Sequence, residues 1–254
     1  MRAGALVWIV VATSACGRHL FDPLPDGADG TGDDAPQFDA ASCGHTFCDD
    51  FDRPGPAGAG WDTTEVLAGG TFALTSATSV SAPTSFQAAL TAVGDGAFLL
   101  KQLPLATTKV TVSLAFSYAS AMPGTAEIDL VRLRWDTLRP GCASFGYFLV
   151  RDGTMPFNLQ ETYNGGGCGD AAANVNHYFT DLDNTGFHTV TMEITFGGVG
   201  VAHVRLVLDG IPSDFVPPNA IDPSTLTLRI GGFAARNISA DWDLRYDDVL
   251  VDVN

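Results

Sequence analysis

Glu127 and Asp129 stand two residues apart in an alternating segment, so an extended strand carries both carboxylates on one side. Two carboxyl groups about 5 to 5.5 Å apart across a sugar linkage are what a retaining glycosidase uses, one as nucleophile and one as proton donor. Arg132 follows three residues after Asp129, and a guanidinium that stays charged cannot deliver that proton. Asp129 is then the group left to serve as proton donor beside Glu127. The segment reads equally as a strand face in which Glu127 and Asp129 pair with Arg132 or Arg134.

Three other groups of residues carry chemical potential. Tyr163, Asn164, Asp170, Asn174, Asn176, His177 and Tyr178 flank or follow the glycine run Gly165-Gly166-Gly167. Stacking rings and short polar groups on a Gly-rich segment are what a sugar site needs, although a polar crossover loop has the same composition. Asp50 and Asp52 near one end of the chain and Asp247 and Asp248 near the other make an oxygen-rich site if the first and last strands pair. That site would suit a structural calcium ion, and ordinary turn or edge-strand acids explain the same residues. The histidines past the amino-terminal segment, His45, His177, His188 and His203, stand in no H-E-x-x-H frame, and no G-x-S-x-G elbow or phosphate loop accompanies them.

Charge narrows the partners. The 254 residues hold 13 Lys and Arg against 29 Asp and Glu, a net charge of -16, and a nucleic-acid backbone is repelled by that field. Of the acids 25 are Asp and 4 are Glu, which favours turns and loops over helices. At 46% hydrophobic residues the chain has ample material for a core.

The amino terminus has its own pattern. Arg2 precedes the apolar run Ala5 to Ala12, and Thr13-Ser14-Ala15-Cys16 closes it with small residues. The run is too short to span a bilayer. Its end resembles the lipobox of bacterial lipoproteins, which implies a signal peptide over 1–15 and lipid on Cys16. Secretion with cleavage after Ala15 is the alternative. Five cysteines in an exported chain leave one odd, and lipidation of Cys16 removes it. The simplest pairing of the rest joins Cys43 to Cys48 and Cys142 to Cys168. Residues 16–42 are rich in Pro, Gly, Ala and Asp and read as an acidic tether.

From Cys43 to Asn254 the period is two. Val110, Val112, Leu114, Phe116 and Tyr118 alternate with small polar residues, and similar runs recur over 85–93, 98–103, 126–135, 145–151, 187–196, 202–209, 226–231 and 244–253. Many short strands without a helical stripe predict an all-β, two-sheet antiparallel sandwich of jelly-roll type over 43–254. Gly186 to Glu193 with Val204 to Gly210, Leu228 to Gly232 with Tyr246 to Val251, and Cys48-Asp49-Asp50-Phe51-Asp52 followed by Trp61 resemble strands of the concanavalin A-like and laminin G-like jelly rolls. On that fold, Glu127-Ile128-Asp129-Leu130-Val131-Arg132 is similar to the E-x-D-x-x-E strand of family 16 glycoside hydrolases. The resemblance implies Glu127 as nucleophile and Asp129 as its helper, with Arg132 replacing the acid/base. The expectation is an exported lipoprotein, at the outer membrane or cell surface, whose jelly roll binds glycan or mediates adhesion without catalysis. A glycoside hydrolase or polysaccharide lyase on the same fold is the alternative.

Overall fold

A computed structural model of the chain describes residues 43–106, 108–120, 127–137, 144–152, 157–164, 175–178, 182, 186–197, 201–216, 223–236 and 241–254. Cys16, the 16–42 tether, Cys142, Cys168, Asp170 and Asn174 lie outside the described residues.

The elements are β1 (Phe47–Asp49), β2 (Thr63–Leu67), β3 (Thr71–Thr75), β4 (Ser85–Leu90), β5 (Gly96–Leu103), β6 (Lys109–Ser120), β7 (Glu127–Thr137), β8 (Ser144–Asp152), β9 (Phe157–Asn164), β10 (Val175–Tyr178), β11 (His188–Phe196), β12 (Val201–Leu208), β13 (Ile211–Phe215), β14 (Pro223–Arg236) and β15 (Trp242–Val253). One sheet has the order β13-β12-β11-β6-β15-β4-β3, with β1 pairing the end of β15 that β4 leaves free. The other has the order β10-β9-β8-β7-β14-β5-β2, and every pairing in both is antiparallel. The protein is the all-β sandwich its alternating pattern predicts.

That alternation explains which faces meet. Val110, Val112, Leu114, Phe116 and Tyr118 of β6 turn inward with Leu244, Tyr246, Val249 and Val251 of β15. Facing them are Leu133, Trp135, Tyr147, Leu149, Phe157, Leu159, Leu226, Leu228 and Ile230 of the other sheet. Each such large side chain contributes about 1.5 to 3 kcal/mol by leaving water. At the β12–β13 hairpin, Asp209 and Gly210 have φ of 49° and 79°, the paired left-handed conformations of a two-residue turn that matches strand twist. The Asp209 carboxylate also accepts from the Thr189 amide at 2.8 Å and contacts His188 Nδ1 at 2.7 Å, tying the turn to the neighbouring strand.

The Cys48-Asp49…Trp61 stretch folds into a buried polar knot. Trp61 Nε1 donates to Asp49 at 2.6 Å, the Phe51 amide donates at 2.9 Å, and Arg53 pairs with the same carboxylate. Cys43 and Cys48 are disulfide-bonded just ahead of it.

Two elements differ from expectation. Tyr163 and Asn164 end β9, and Asn176, His177 and Tyr178 belong to β10, antiparallel beside it, where the sequence pattern suggests no strands. Asp247 and Asp248 are not edge or turn acids. They lie inside β15, whose pairing with β6 shifts register between Asp247 and Leu250, with Asp248 at φ 48° in the resulting bulge.

Candidate functional site

A pair of bulges decides what the outer face of the seven-stranded sheet presents. Against β8, β7 holds one extra residue between Asp129 and Val131; against β14, Leu130 faces both Gly231 and Gly232. Leu130 and Val131 are consequently both buried, and alternation resumes one residue out of phase. Asp129 and Arg132, three apart in sequence, thereby share the outer face and form an ion pair at 2.8 Å. Gly231 has φ 121°, and a Cβ there would sit 2.1 Å from the Ala97 carbonyl oxygen, so only glycine fits this crossing of strands. Tyr246 fixes the bulges from the opposite sheet, its hydroxyl 2.7 Å from the Gly231 carbonyl and 3.0 Å from that of Leu130.

The register continues the site across strands. Arg229 on β14 stands directly opposite Arg132, and Gln160 lies further along the same row through Phe148. The Arg229 guanidinium lies over the Phe98 ring, 3.1 Å from its centroid. Its Nε is buried with no hydrogen-bond partner among the described residues. Burial, and then the like charge of Arg132, push the Arg229 pKa down to about 10, which leaves it charged near neutrality. Burial likewise raises the Asp129 carboxyl above the usual range, a rise opposed first by Arg132 and then by Arg229. In the neighbouring row Asp129 leads through Val150 to Asn158, which is 2% exposed and whose Oδ1 has no hydrogen-bond partner among the described residues. The face thus combines two opposed guanidiniums, one carboxylate already bound to one of them, an amide acceptor and an aromatic ring.

The structure distributes the residues singled out in sequence unevenly. Glu127 and Asp129 are both on β7, and Asp129 is ion-paired with Arg132. Tyr163, Asn164, Asn176, His177 and Tyr178 belong to the β9–β10 hairpin, with Asn176 opposite Gln160, His177 opposite Leu159 and Tyr178 opposite Asn158 in backbone register. The hairpin therefore borders the Arg132 face on the same sheet. Of the four aspartates proposed for calcium, Asp247 directs its oxygens to the Val80 and Ser81 amides at 2.7 and 3.1 Å, the Ser81 hydroxyl at 3.1 Å and the Asp248 amide at 2.9 Å. Asp52 accepts from the Thr84 amide at 2.8 Å, and burial raises its pKa, assisted by the charges of Asp50 and Asp248. Among the described residues no three His, Cys, Asp or Glu side chains converge as a metal site. Arg229, Phe98, Asn158 and Tyr246 were not foreseen as site residues. The signal for them was Gly231-Gly232 inside a strand pattern, the mark of a bulge or of a close backbone approach.

No family model matches this sequence, and no curated protein is significantly similar to it. Solved structures are similar in fold. An endo-β-1,4-glucuronan lyase from the fungus Trichoderma reesei superposes with a TM-score of 0.65 at 13% identity, covering 83% of this chain and 96% of that one. The cellulose-induced protein Cip1 follows with 0.56 at 15% identity over 82% and 97% of the two chains. The alginate lyase vAL-1 from Chlorella virus gives 0.53 at 9% identity over 78% and 95%. The sandwich has the concanavalin A-like jelly-roll fold. At these identities the likeness is one of fold, and the fold does not decide the function.

Proposed function

We propose that this chain is a noncatalytic glycan-binding module that takes carboxylate-bearing polysaccharide on the outer face of the seven-stranded sheet. The observation that carries the reading is Arg229: a charged guanidinium braced on Phe98, opposite Arg132, while Asp129 is committed to Arg132. Arg132, Arg134 and Arg229 share this face by register and alternation. A guanidinium held flat by an aromatic ring presents its fork to a planar carboxylate at little entropic cost. The net charge of -16 opposes the approach of any polyanion, so the contact rests on these local guanidiniums, with acids beyond about 8 Å screened at physiological ionic strength. Two proteins of similar fold are by name lyases of glucuronan and alginate, both carboxylated polymers, which supports the same class of ligand. The module is carried to the bacterial envelope by its export signal and held there by lipid on Cys16.

A polysaccharide lyase is the second reading, favoured by the place of Tyr178 on β10, in register with Asn158 of this face. One experiment addresses both. The full chain is titrated calorimetrically with alginate, polyglucuronate and a neutral β-glucan, while ultraviolet absorbance monitors unsaturated products. The expected result is binding of the uronate polymers without product, with Arg229→Ala weakening it about 10- to 100-fold, the worth of a charge-assisted hydrogen bond. Binding unchanged by Arg229→Ala overturns the site. Unsaturated product overturns the noncatalytic reading.

A further inference from the structure

The opposite face of the molecule carries a hollow of about 190 Å³ on the outer side of the eight-stranded sheet. Its origin lies in the sequence of β6, which brings only Ser117 and Ala119 to that stretch of the face. Register sets Ser117 opposite Arg245 and Ala119 opposite Asp243 on β15. On the other flank His188 pairs with Phe116, so Phe187, one residue earlier, comes alongside and lines the hollow. Small residues between large ones leave a depression. Thr78, from the connection between β3 and β4, closes it and accepts a hydrogen bond from Arg245.

The chemistry of this hollow differs from that of the Arg229 face. Arg245 donates to both Asp243 oxygens, at 2.8 and 3.4 Å, so its charge is neutralised within the site. The pair is mostly covered, with 19% of the Arg245 side chain and 29% of that of Asp243 exposed. What remains is a neutral set: a carboxylate to accept, a guanidinium to donate, the hydroxyls of Ser117 and Thr78 to do either, and the Phe187 ring. A sugar hydroxyl donates to one neighbour and accepts from another, and a pyranose offers an apolar C–H face to an aromatic ring. An anion gains nothing from a guanidinium already paired. The volume is about six times the roughly 30 Å³ of a liquid water, enough for one ring but not for a chain. We propose that this hollow binds a single neutral hexopyranose, as a chain end or side branch, independently of the anionic face. The protein then holds glycans on opposite sides of its sandwich and can bridge two of them, which multiplies retention by effective concentration.

The test is saturation-transfer NMR on the full chain with the methyl glycosides of glucose, galactose and mannose. Transfer from at least one is expected, together with its loss in Ala119→Trp. Ala119 is solvent-facing on a strand, so the indole fills the hollow without entering the core, and an unchanged circular dichroism spectrum and Tm verify the fold. If that variant does not fold, Asp243→Asn takes its place with an expected affinity loss of tenfold or more. Arg229→Ala should leave hexoside transfer untouched, which separates this site from the proposed anionic one. No transfer from any of the three glycosides in the parent chain, or transfer indifferent to the folded hollow-filling variant, overturns the proposal.

Discussion

Tyr246 extends from the eight-stranded sheet to place its hydroxyl 2.7 Å from the Gly231 carbonyl oxygen of the seven-stranded sheet. That carbonyl and the Leu130 carbonyl, 3.0 Å away, belong to the two bulges that bring Asp129 and Arg132 onto one face. The ring is fully buried, so Tyr246→Phe leaves a bulge carbonyl without its donor and should cost about 1 to 3 kcal/mol in urea denaturation. Binding of uronate polymers should weaken as well, because relaxed bulges displace the Arg132 row. A loss of stability with unchanged affinity would show that the bulges do not position the site.

The sandwich was legible because the long strands are half-buried and alternate cleanly, as β6 does. The short strands β2, β3 and β13 were not, since Thr, Glu, Pro and Asp dilute their apolar faces. Strand β9 escaped for a different reason. Its inward series runs Phe157, Leu159, Glu161, and a buried glutamate, with Tyr147 Oη 3.3 Å from its Oε1, breaks a pattern that assumes apolar interiors. The site itself was half legible. Glu127, Asp129 and Arg132 were visible as a group, but Arg229 joins them only through register nearly 100 residues away, which no local spacing encodes.

The Asp49 knot should be expensive to cut. Asp49 and Arg53 are 2% and 7% exposed, and Trp61 and the Phe51 amide converge on the same carboxylate. Asp49→Ala strands a buried guanidinium and an indole N–H, and removing one partner of such a pair typically costs about 3 to 5 kcal/mol. A shift in the urea midpoint corresponding to less than about 1 kcal/mol would mean that water relieves the knot. Asp49 lies on β1 of the eight-stranded sheet and is not among the proposed binding residues, so the folded variant should retain affinity for uronate polymers.

Asp247 makes stability depend on mild acidity. Burial is the largest influence on its carboxyl and raises the pKa from 3.8 to about 6, despite amide donors that oppose the rise. Between these values the folded chain binds a proton that the unfolded chain has released, so stability falls as pH rises through that window. The contribution is full in acid and gone above about pH 6. Asp247→Asn should flatten this segment of a Tm-against-pH profile measured from pH 4 to 7. Parallel profiles for parent and variant would refute the assignment.

The cysteines are checked by peptide mapping of the protein without reduction. The Cys43–Cys48 bridge of the structure should appear, joined by a Cys142–Cys168 peptide. Cys16→Ser should move the protein from the membrane fraction to the soluble one after a carbonate wash. Equal retention of parent and variant would remove the lipid anchor from the reading.

Whether the Glu127 segment retains any chemistry is decided by its missing acid. Hydrolysis by a carboxylate pair needs a nucleophile and a proton donor, and loss of general acid/base assistance costs about 100- to 10,000-fold. Where the family 16 pattern puts the donor, Arg132 holds Asp129 at 2.8 Å, and a guanidinium of that kind keeps its proton at neutral pH. Asp129 cannot take over, because donating would break the ion pair and leave the Arg132 charge half-buried beside Arg229. The full chain should therefore release no reducing sugar from β-glucans, and Glu127→Gln should change uronate affinity by no more than one lost contact. Product formation that Glu127→Gln abolishes would require a proton donor outside the Asp129–Arg132 pair and would make the protein a hydrolase.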